Sequence, residues 1–478
     1  MPDHFGIDFG TTNSCAVEFD TGSRIGDGFG RPMPSIIAVD PATRDRKAGR
    51  EIWNRRMAIT DLGGYRVVDS IKLLLEKPDQ SPIPGFSVAE LVAIILQELS
   101  SHAERARGIE GGIRKATFSI PVKMSPAARG VLREAAGLAG IQVTAFVKEP
   151  TAAVIHAWRD VCDRSFVAVF DWGGGTLDIS VVEIRGRSIR ELRTDGLSEA
   201  GNRIDWAIAS MVNRRIMKQR GLAKQLEELP AEQQDDLRYR CELAKCDLAR
   251  NADAFFALQG YDGRHEQVIL TRDECAREIQ PFVERALDRL GRTIKDAVKR
   301  YDAIDEIVVT GGCSQLWLLR EMLGNDPRFA GRYMLAPDPE WAVARGAAIL
   351  ESRPGAFELA ESIRLELSDG DHIDLAVPGD RPGRAGTLSL QLVEDAREAH
   401  ILINRCSMET SERIPELSMT VPAQGFLDEE IHLRHELTSV QTFRLEGRSK
   451  ALSGRGLADL VAKESGELRF SYQLPEGF

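Results

Sequence analysis

None of the seven cysteines stands in a C-x-x-C pair, and their odd number shows no framework spacing. That excludes a disulfide-stapled secreted fold and points to reduced thiols acting as small buried apolar residues. The H-x-x-H made by His432 and His435 lies in the strand-like run IHLRHE. There the two side chains fall on opposite faces with no cysteine close by, so no structural zinc is expected. Long apolar runs are missing as well: Leu91–Leu96 is among the longest, far short of a bilayer span. A basic excess is also lacking. Lys and Arg number 62 against 73 Asp and Glu, and the net charge is −11. That excludes nucleic acid or an anionic membrane as the main partner. The opening MPDHFGIDFG has no basic stretch followed by an apolar one, so no secretory signal is expected and the location reads as cytoplasmic.

What is present is a matched pair of hairpins. FGIDFGTTNSCAVEF runs from Phe5 to Phe19, and FVAVFDWGGGTLDISVVEI runs from Phe166 to Ile184. Each reads as an apolar strand, an aspartate (Asp8 or Asp171), a Gly/Thr turn and a returning strand. The turns are Gly10-Thr11-Thr12 and Gly173-Gly174-Gly175-Thr176. Glycine lets backbone N–H groups approach a phosphate closely, and carboxylates suit Mg²⁺. Two such hairpins facing across a cleft would clamp a polyphosphate from both sides. Either alone is a weak motif, because short glycine turns recur by chance. The pair with matched aspartates is not.

The 478 residues suffice for two or three domains. Up to about residue 163, strands alternate with helices expected over Val88–Arg107 and from Pro126 to Ala139. A strand at Ala116–Val122 lies between them, and VTAFV leads into Glu149-Pro150-Thr151. Residues 164 to about 353 repeat the plan. A charged helical stretch covers Ala207–Arg250, a helix covers Val283–Tyr301, and a strand covers Glu306–Thr310. After Ser352-Arg353-Pro354-Gly355 the pattern turns to alternating runs, from IRLEL (363–367) to ELRFSYQL (467–474), with one short helical piece near Leu457–Lys463. That is the pattern of an antiparallel β-sandwich.

Five motifs appear in a fixed order: IDFGTTNS, the segment from IPVKMSPAARG to EPTAAV, FDWGGGTLDIS, the Gly201-Asn202-Arg203-Ile204-Asp205 element, and IVVTGGCSQL followed by AVARGAA. Over residues 1 to about 350 this set resembles the heat-shock protein 70 family of the actin-like ATPase superfamily. The resemblance implies an α/β fold: a two-lobed actin-like nucleotide-binding domain, duplicated and ribonuclease H-like, followed by a small antiparallel β-sandwich. The expected boundaries are 1–353 for the nucleotide domain (lobe I about 1–163, lobe II about 164–353), 354–362 for a linker and 363–478 for the sandwich. The family's helical lid is expected to be absent, and the acidic–leucine linker pattern is replaced by SRPGAFELAESIRLEL. Phe357, Leu359 and Ile363 are the candidates for an apolar plug there.

The resemblance assigns roles by position. Asp8 and Asp171 would hold Mg²⁺, largely through water. Gly10, Thr11, Thr12 and Asn13, with Gly173, Gly174, Gly175 and Thr176, would bind the phosphates of ATP or ADP. Lys72 would reach the γ-phosphate and the attacking water, although a lysine among leucines also reads as a snorkelling surface residue. Glu149 would position that water or accept its proton, and would also sit well at a helix N-terminus. Gly201, Glu242, Lys245, Gly311, Gly312, Ser314 and Gln315 would face the ribose, α-phosphate and base. Glu242 and Lys245 read equally well as an i,i+3 surface pair. Ala249 and Gln315 replace the family's serine and arginine, which weakens stacking on the base. Pro121 and Arg129 match the family's interdomain relay. The implied activity is slow ATP hydrolysis in a chaperone-like protein. Its expected partners are unfolded peptide or a specific client, a J-domain co-chaperone and a nucleotide-exchange factor, with no nucleic acid and no membrane. A nucleotide-gated scaffold is the alternative function, and a metabolite kinase of the same superfamily is a weaker one.

Overall fold

A computed structural model describes residues 4–53, 64–107, 112–122, 124–353, 358–392, 397–406, 413–423, 429–438, 442–450, 464–469 and 472–474. They form two units. Met1–Val182 with Leu192–Ser352 make the first, and Glu183–Glu191 with Arg353–Phe478 make the second.

The first unit is built on two sheets with one plan. In the first sheet Phe5–Phe9 pairs antiparallel with Asn13–Glu18 on one side and parallel with Lys115–Ile120 on the other. Lys115–Ile120 in turn pairs parallel with Gln142–Lys148. In the second sheet Phe166–Trp172 lies between Leu177–Arg185 and Glu306–Thr310, and Tyr333–Leu335 follows beyond. Both of these outer pairings are parallel. In each sheet a returning strand lies on one flank and two crossover strands on the other. The aspartates take matching places: Asp8 stands opposite Ser119 and Asp171 opposite Thr310. The central strands are apolar on both faces because helices cover both sides. Phe5, Ile7 and Phe9, like Val167, Val169 and Phe170, are fully buried.

The helices follow the expected periodicity with three differences. The charged stretch Ala207–Arg250 is two helices, Gly201–Gln219 and Ala231–Leu248, interrupted before Pro230. The helix expected from Val283 begins at Arg272, where Thr271 and Glu274 form a capping box, and it runs through Pro281 to Val298. Its buried stripe, from Cys275 and Ile279 through Leu290 to Ile294, outweighs the proline's lost hydrogen bond. Between these helices lies a hairpin, Asp253–Tyr261 with Arg264–Thr271, that periodicity alone did not reveal. Its turn residues Asp262 and Gly263 both have positive φ, as a tight hairpin requires.

The helix Ala342–Glu351 comes late in the chain yet packs on the first sheet. A Cβ on Gly346 would fall 1.9 Å from Ala152 O, and one on Gly6 would fall 2.1 Å from Ala344 O. Glycine is what lets these backbones touch.

The second unit contains two four-stranded antiparallel sheets. One orders His372–Ala376, Ser362–Glu366, Glu398–Cys406 and Arg413–Pro422. The other orders Ala385–Gln391, Glu430–Leu437, Thr442–Lys450 and Glu464–Arg469. Alternation buries Ile363, Leu365, Ile401, Ile403, Ile431, Leu433, Phe443 and Leu445. A short ladder joins Glu358–Leu359 to Tyr472–Gln473 and those to Ser188–Ile189. Leu359 and Ile363 are buried within this unit. Phe357 and the helical piece expected near Leu457–Lys463 lie outside the described residues. Among the described residues no helix is long and apolar enough to cross a membrane.

Candidate functional site

The two hairpin turns, remote in sequence, meet in space. Gly10 bends the first turn so tightly that a Cβ would fall 2.1 Å from Asn13 O. In the second turn Gly173 N donates to Thr176 O at 2.9 Å. A Cβ on Gly174 would lie 2.7 Å from Thr12 Oγ1, and one on Gly175 would lie 3.0 Å from Thr11 Cγ2. The turns therefore face each other across one cleft, which Gly10, Thr11, Thr12, Asn13 and Gly173 through Thr176 all line. Thr12 Oγ1 is buried and makes no hydrogen bond.

Charge concentrates on the same cleft. Asp8 and Asp171 line it, as do Lys72 and Glu149. Ser119 Oγ donates to Asp8 Oδ1 at 2.9 Å. Lys72 sits on the short 3-10 turn Ile71–Glu76, and Glu149 opens the helix Glu149–His156 just before Pro150. Lys72 Nζ donates to Glu149 Oε1 at 2.6 Å, and both side chains are buried. Lys72 is thus an interior residue, not a snorkelling one. A further carboxylate, Asp178, lines the cleft and accepts from Thr176 Oγ1 at 2.8 Å.

Four buried or half-buried carboxylates thus surround one ammonium. Burial pushes the Asp8 carboxyl up to about 6, the Glu149 charge adds to this, and Lys72 and the Ser119 hydrogen bond oppose it. Asp171 is driven well above the usual range by burial, then by Glu149, Asp8 and Asp178. Burial works against the Lys72 charge, but Glu149 and Asp8 outweigh it and hold the ammonium above its ordinary value. The cleft carries more negative charge than its one lysine balances, so it favours an added cation. Among the described residues no three His, Cys, Asp or Glu side chains converge closely enough to ligate an ion directly. The donor set fits an ion that keeps its waters, as Mg²⁺ does.

The expected base-side residues divide. Gly311 and Gly312 line the cleft, and a Cβ on Gly311 would fall 2.5 Å from Asp171 Oδ1. Gly201, Glu242, Lys245, Ser314 and Gln315 are not on its wall. Gly201 supports the second turn from behind: its N–H donates to Gly173 O at 3.2 Å, and Asn202 N donates to Gly174 O at 2.8 Å. Lys245 is buried against Asp205, with 2.7 Å between Nζ and Oδ1. Ser314 is fully buried. Arg129 Nη1 donates to Met124 O at 3.1 Å. Sequence reasoning missed Cys15, Pro32, Asp178, Pro339, Glu340 and Val343 on the cleft wall. Asp178 could have been found, since strand alternation from Thr176 puts it on the same face. Cys15 could have been found in the same way, two residues after Asn13 on the returning strand of the first hairpin, whereas Pro32, Pro339, Glu340 and Val343 come from elsewhere in the chain and leave no local signal.

The duplicated sheets and the cleft between their turns define a two-lobed α/β protein of the actin-like class. A family model described as Hsp70 protein matches residues 64–353. The chaperone protein HscA homolog of Vibrio cholerae serotype O1 (strain M66-2) is 32% identical over 372 residues, 72% of this chain and 57% of that protein. The homolog from Vibrio atlanticus (strain LGP32) is 32% identical over 367 residues, again 72% of this chain and 57% of the relative. The chain belongs to the Hsp70 family. It spans somewhat over half the length of these curated relatives.

Proposed function

We propose that the chain binds Mg–ATP between its two glycine turns, hydrolyses it slowly, and acts as an ATP-dependent chaperone. The observation that carries this reading is the buried Lys72–Glu149 pair on the same cleft wall as Asp8, Asp171 and the two facing turns. The orphaned Thr12 hydroxyl and the bare glycine amides supply donors for phosphate oxygens. Asp8 and Asp171 would accept hydrogen bonds from the waters around Mg²⁺. When bound, that ion offsets the charge of the phosphates and of the carboxylates that crowd the cleft.

In this reading Lys72 holds a fixed positive charge where charge builds on the transferring phosphoryl group. Glu149 fixes the Lys72 ammonium and orients the attacking water. Thr11, Thr12 and Thr176 donate to the β- and γ-phosphates. Water attacks the γ-phosphorus, the bond to the bridging oxygen breaks, and ADP and phosphate leave. Gly201, Glu242, Lys245, Ser314 and Gln315 would reach the nucleotide only after the cleft rearranges.

The second unit would be a β-sandwich over residues 363–478, joined by a 354–362 linker. It would take an extended peptide or a specific client, with a J-domain co-chaperone and an exchange factor acting on the cycle in the cytoplasm. The similarity to relatives named as chaperone proteins supports this part. Lys72→Ala should lower ATP turnover at least about a hundredfold, the scale for removing one preorganised donor to a developing charge. Mg–ATP binding by calorimetry should persist in the same variant. Unchanged turnover would reject the assignment.

A further inference from the structure

A second cavity lies at the opposite end of the second sheet from the cleft. The cleft lies where the strands Phe166–Trp172 and Glu306–Thr310 end, at Asp171, Gly311 and Gly312. The second cavity lies where Glu306–Thr310 and Tyr333–Leu335 begin. It measures about 460 Å³, within the range of small-molecule sites, and is lined by Arg300, Tyr301, Asp302, Pro327, Arg328 and Arg332. We infer that this cavity binds an aromatic carboxylate, with the Arg332 guanidinium taking the carboxylate and Tyr301 and Pro327 packing against the ring. The inference does not depend on the nucleotide reading, and either can fail without the other.

The charges on the wall do not cancel. Arg300 Nε donates to Asp302 Oδ1 at 2.9 Å, and Arg300 Nη2 to Asp302 Oδ2 closes a two-armed pair. Arg328 is held by Asp326 through Nε at 3.0 Å and Nη2 at 2.7 Å, and its Nη1 donates to Asp288 at 3.2 Å. Arg332 has no such partner. Its side chain makes one hydrogen bond, from Nη1 to Tyr301 O at 3.3 Å, and among the described residues no carboxylate stands within ion-pair distance. Asp302 feels its charge only through space. A guanidinium presents five N–H donors, so most of this fork is open. The backbone beneath it is fixed: Arg332 N donates to Phe329 O at 3.0 Å, and Arg332 O accepts from Ile307 N at 2.8 Å. An unsaturated group on a held platform costs a ligand little ordering.

The surplus is a single positive charge on a planar fork. A carboxylate matches that charge and meets the fork with two parallel N–H···O bonds. A phosphate monoester brings up to about two negative charges, and the Asp302 carboxylate beside the site opposes the excess. The remaining wall is ring surface. Tyr301 is half-buried and its ring stands edge-on to the buried Phe329, with 6.5 Å between centroids, while Pro327 is exposed. A flat apolar body packs on such a surface better than a polar one does.

The experiment is an NMR titration of the full chain, Arg332→Gln and Arg332→Lys with benzoate, benzamide, acetate, phenyl phosphate and acetyl-glycyl-phenylalanine. Benzoate should bind wild type with a Kd of about 1–10 mM, the scale for a ligand of its size. Arg332→Gln should weaken it at least about tenfold, as the loss of a charge-assisted hydrogen bond does. Arg332→Lys keeps the charge without the fork and should fall between. If the Gln variant does not fold, the Lys variant carries the comparison. Benzamide, which lacks the charge, and acetate, which lacks the ring, should each bind wild type at least about fivefold more weakly than benzoate. The inference is overturned if benzoate does not bind wild type, if it binds both variants as tightly as wild type, or if benzamide or acetate matches it. Phenyl phosphate binding more tightly than benzoate overturns the carboxylate. The acetylated dipeptide separates the sources of the same chemistry. Tighter binding than benzoate supports the carboxylate as that of a chain terminus, and weaker binding supports it as that of a free acid.

Discussion

Thr12 and Gly174 show how closely the two turns are matched at the level of single atoms. The space a Cβ on Gly174 would need is already filled by the Thr12 side chain. Gly174→Ala should therefore wedge the turns apart and lower Mg–ATP affinity at least about tenfold. Because the turn lies on the cleft wall, not in the core, the urea midpoint should hardly move. A second residue-scale test concerns His435. Burial lowers its pKa below 6.5, Arg384 adds to this and Asp380 opposes it. The ring stacks on Phe443 with centroids 5.7 Å apart and fills the space over Gly386. The unfolded chain binds the proton more readily than the folded one. Stability is therefore full above pH 6.5 and falls as the pH drops below it. The second unit should unfold more readily as the pH drops below 6.5, and His435→Leu should flatten that dependence. The residues legible in the chain were those whose chemistry is local. Asp8 and Asp171 each follow an apolar strand inside a glycine turn, and Glu149 precedes a proline at a helix start. Glu340 was not legible, because only the packing of the Pro337–Trp341 turn against Gly311 and Gly312 brings it to the cleft.

Among elements, the helix Ala342–Glu351 bears most directly on the cleft. It follows the last strand of the second sheet yet packs on Phe5–Phe9 and on the helix that Glu149 opens, so it ties the two halves of the cleft together. Its approach depends on Gly346 and Gly6, where any side chain would collide with backbone, not with a flexible neighbour. Gly346→Val should cost about 3 kcal/mol or more in a urea titration, at the upper end for overpacking because no rotamer relieves the contact. Helix periodicity marked Val88–Arg107, and an apolar β-branched run marked the strand Glu306–Thr310, with little error, whereas Ala342–Glu351 reads in the sequence only as a motif and not as a helix. Periodicity failed for the hairpin Asp253–Thr271, where the Asp262-Gly263 turn was the only strong sign. Phe255 and Ile269, paired across that hairpin, are both largely exposed, so its hydrophobic pattern is not a clean alternation. It failed also at Arg272, because a proline inside a run normally reads as a boundary and only the tertiary contacts of its buried stripe override it.

At the scale of the whole molecule, the division falls where composition changes, at Ser352 and Arg353, with one departure that no composition shift announces. The middle of the ribbon Leu177–Leu197, residues 183–191, belongs to the second unit. There Leu474 N donates to Arg187 O at 2.9 Å and Arg187 Nη1 donates to Leu474 O at 3.2 Å. Ile189 is buried, and its strand pairs with Tyr472–Gln473. The buried Arg405 bonds Glu361 at 2.9 Å, and the charges of Glu183 and Arg190 act on it. Such a pairing leaves no local trace in either segment, since the partners lie almost three hundred residues apart. It does make a prediction for a chain ending at Ser352. Every residue lining the cleft lies at or before Val343, so Mg–ATP affinity should stay within about threefold of the full chain. Residues 187–190 lose their ladder and the cover over Ile189, and their amides should exchange far faster. Val181 and Val182, which stay in the first unit, should keep their protection. Hydrogen exchange with mass spectrometry on both chains decides it. If 187–190 remain protected in the shortened chain, the ribbon folds with the first unit alone, and the grouping of 183–191 with the second unit is wrong.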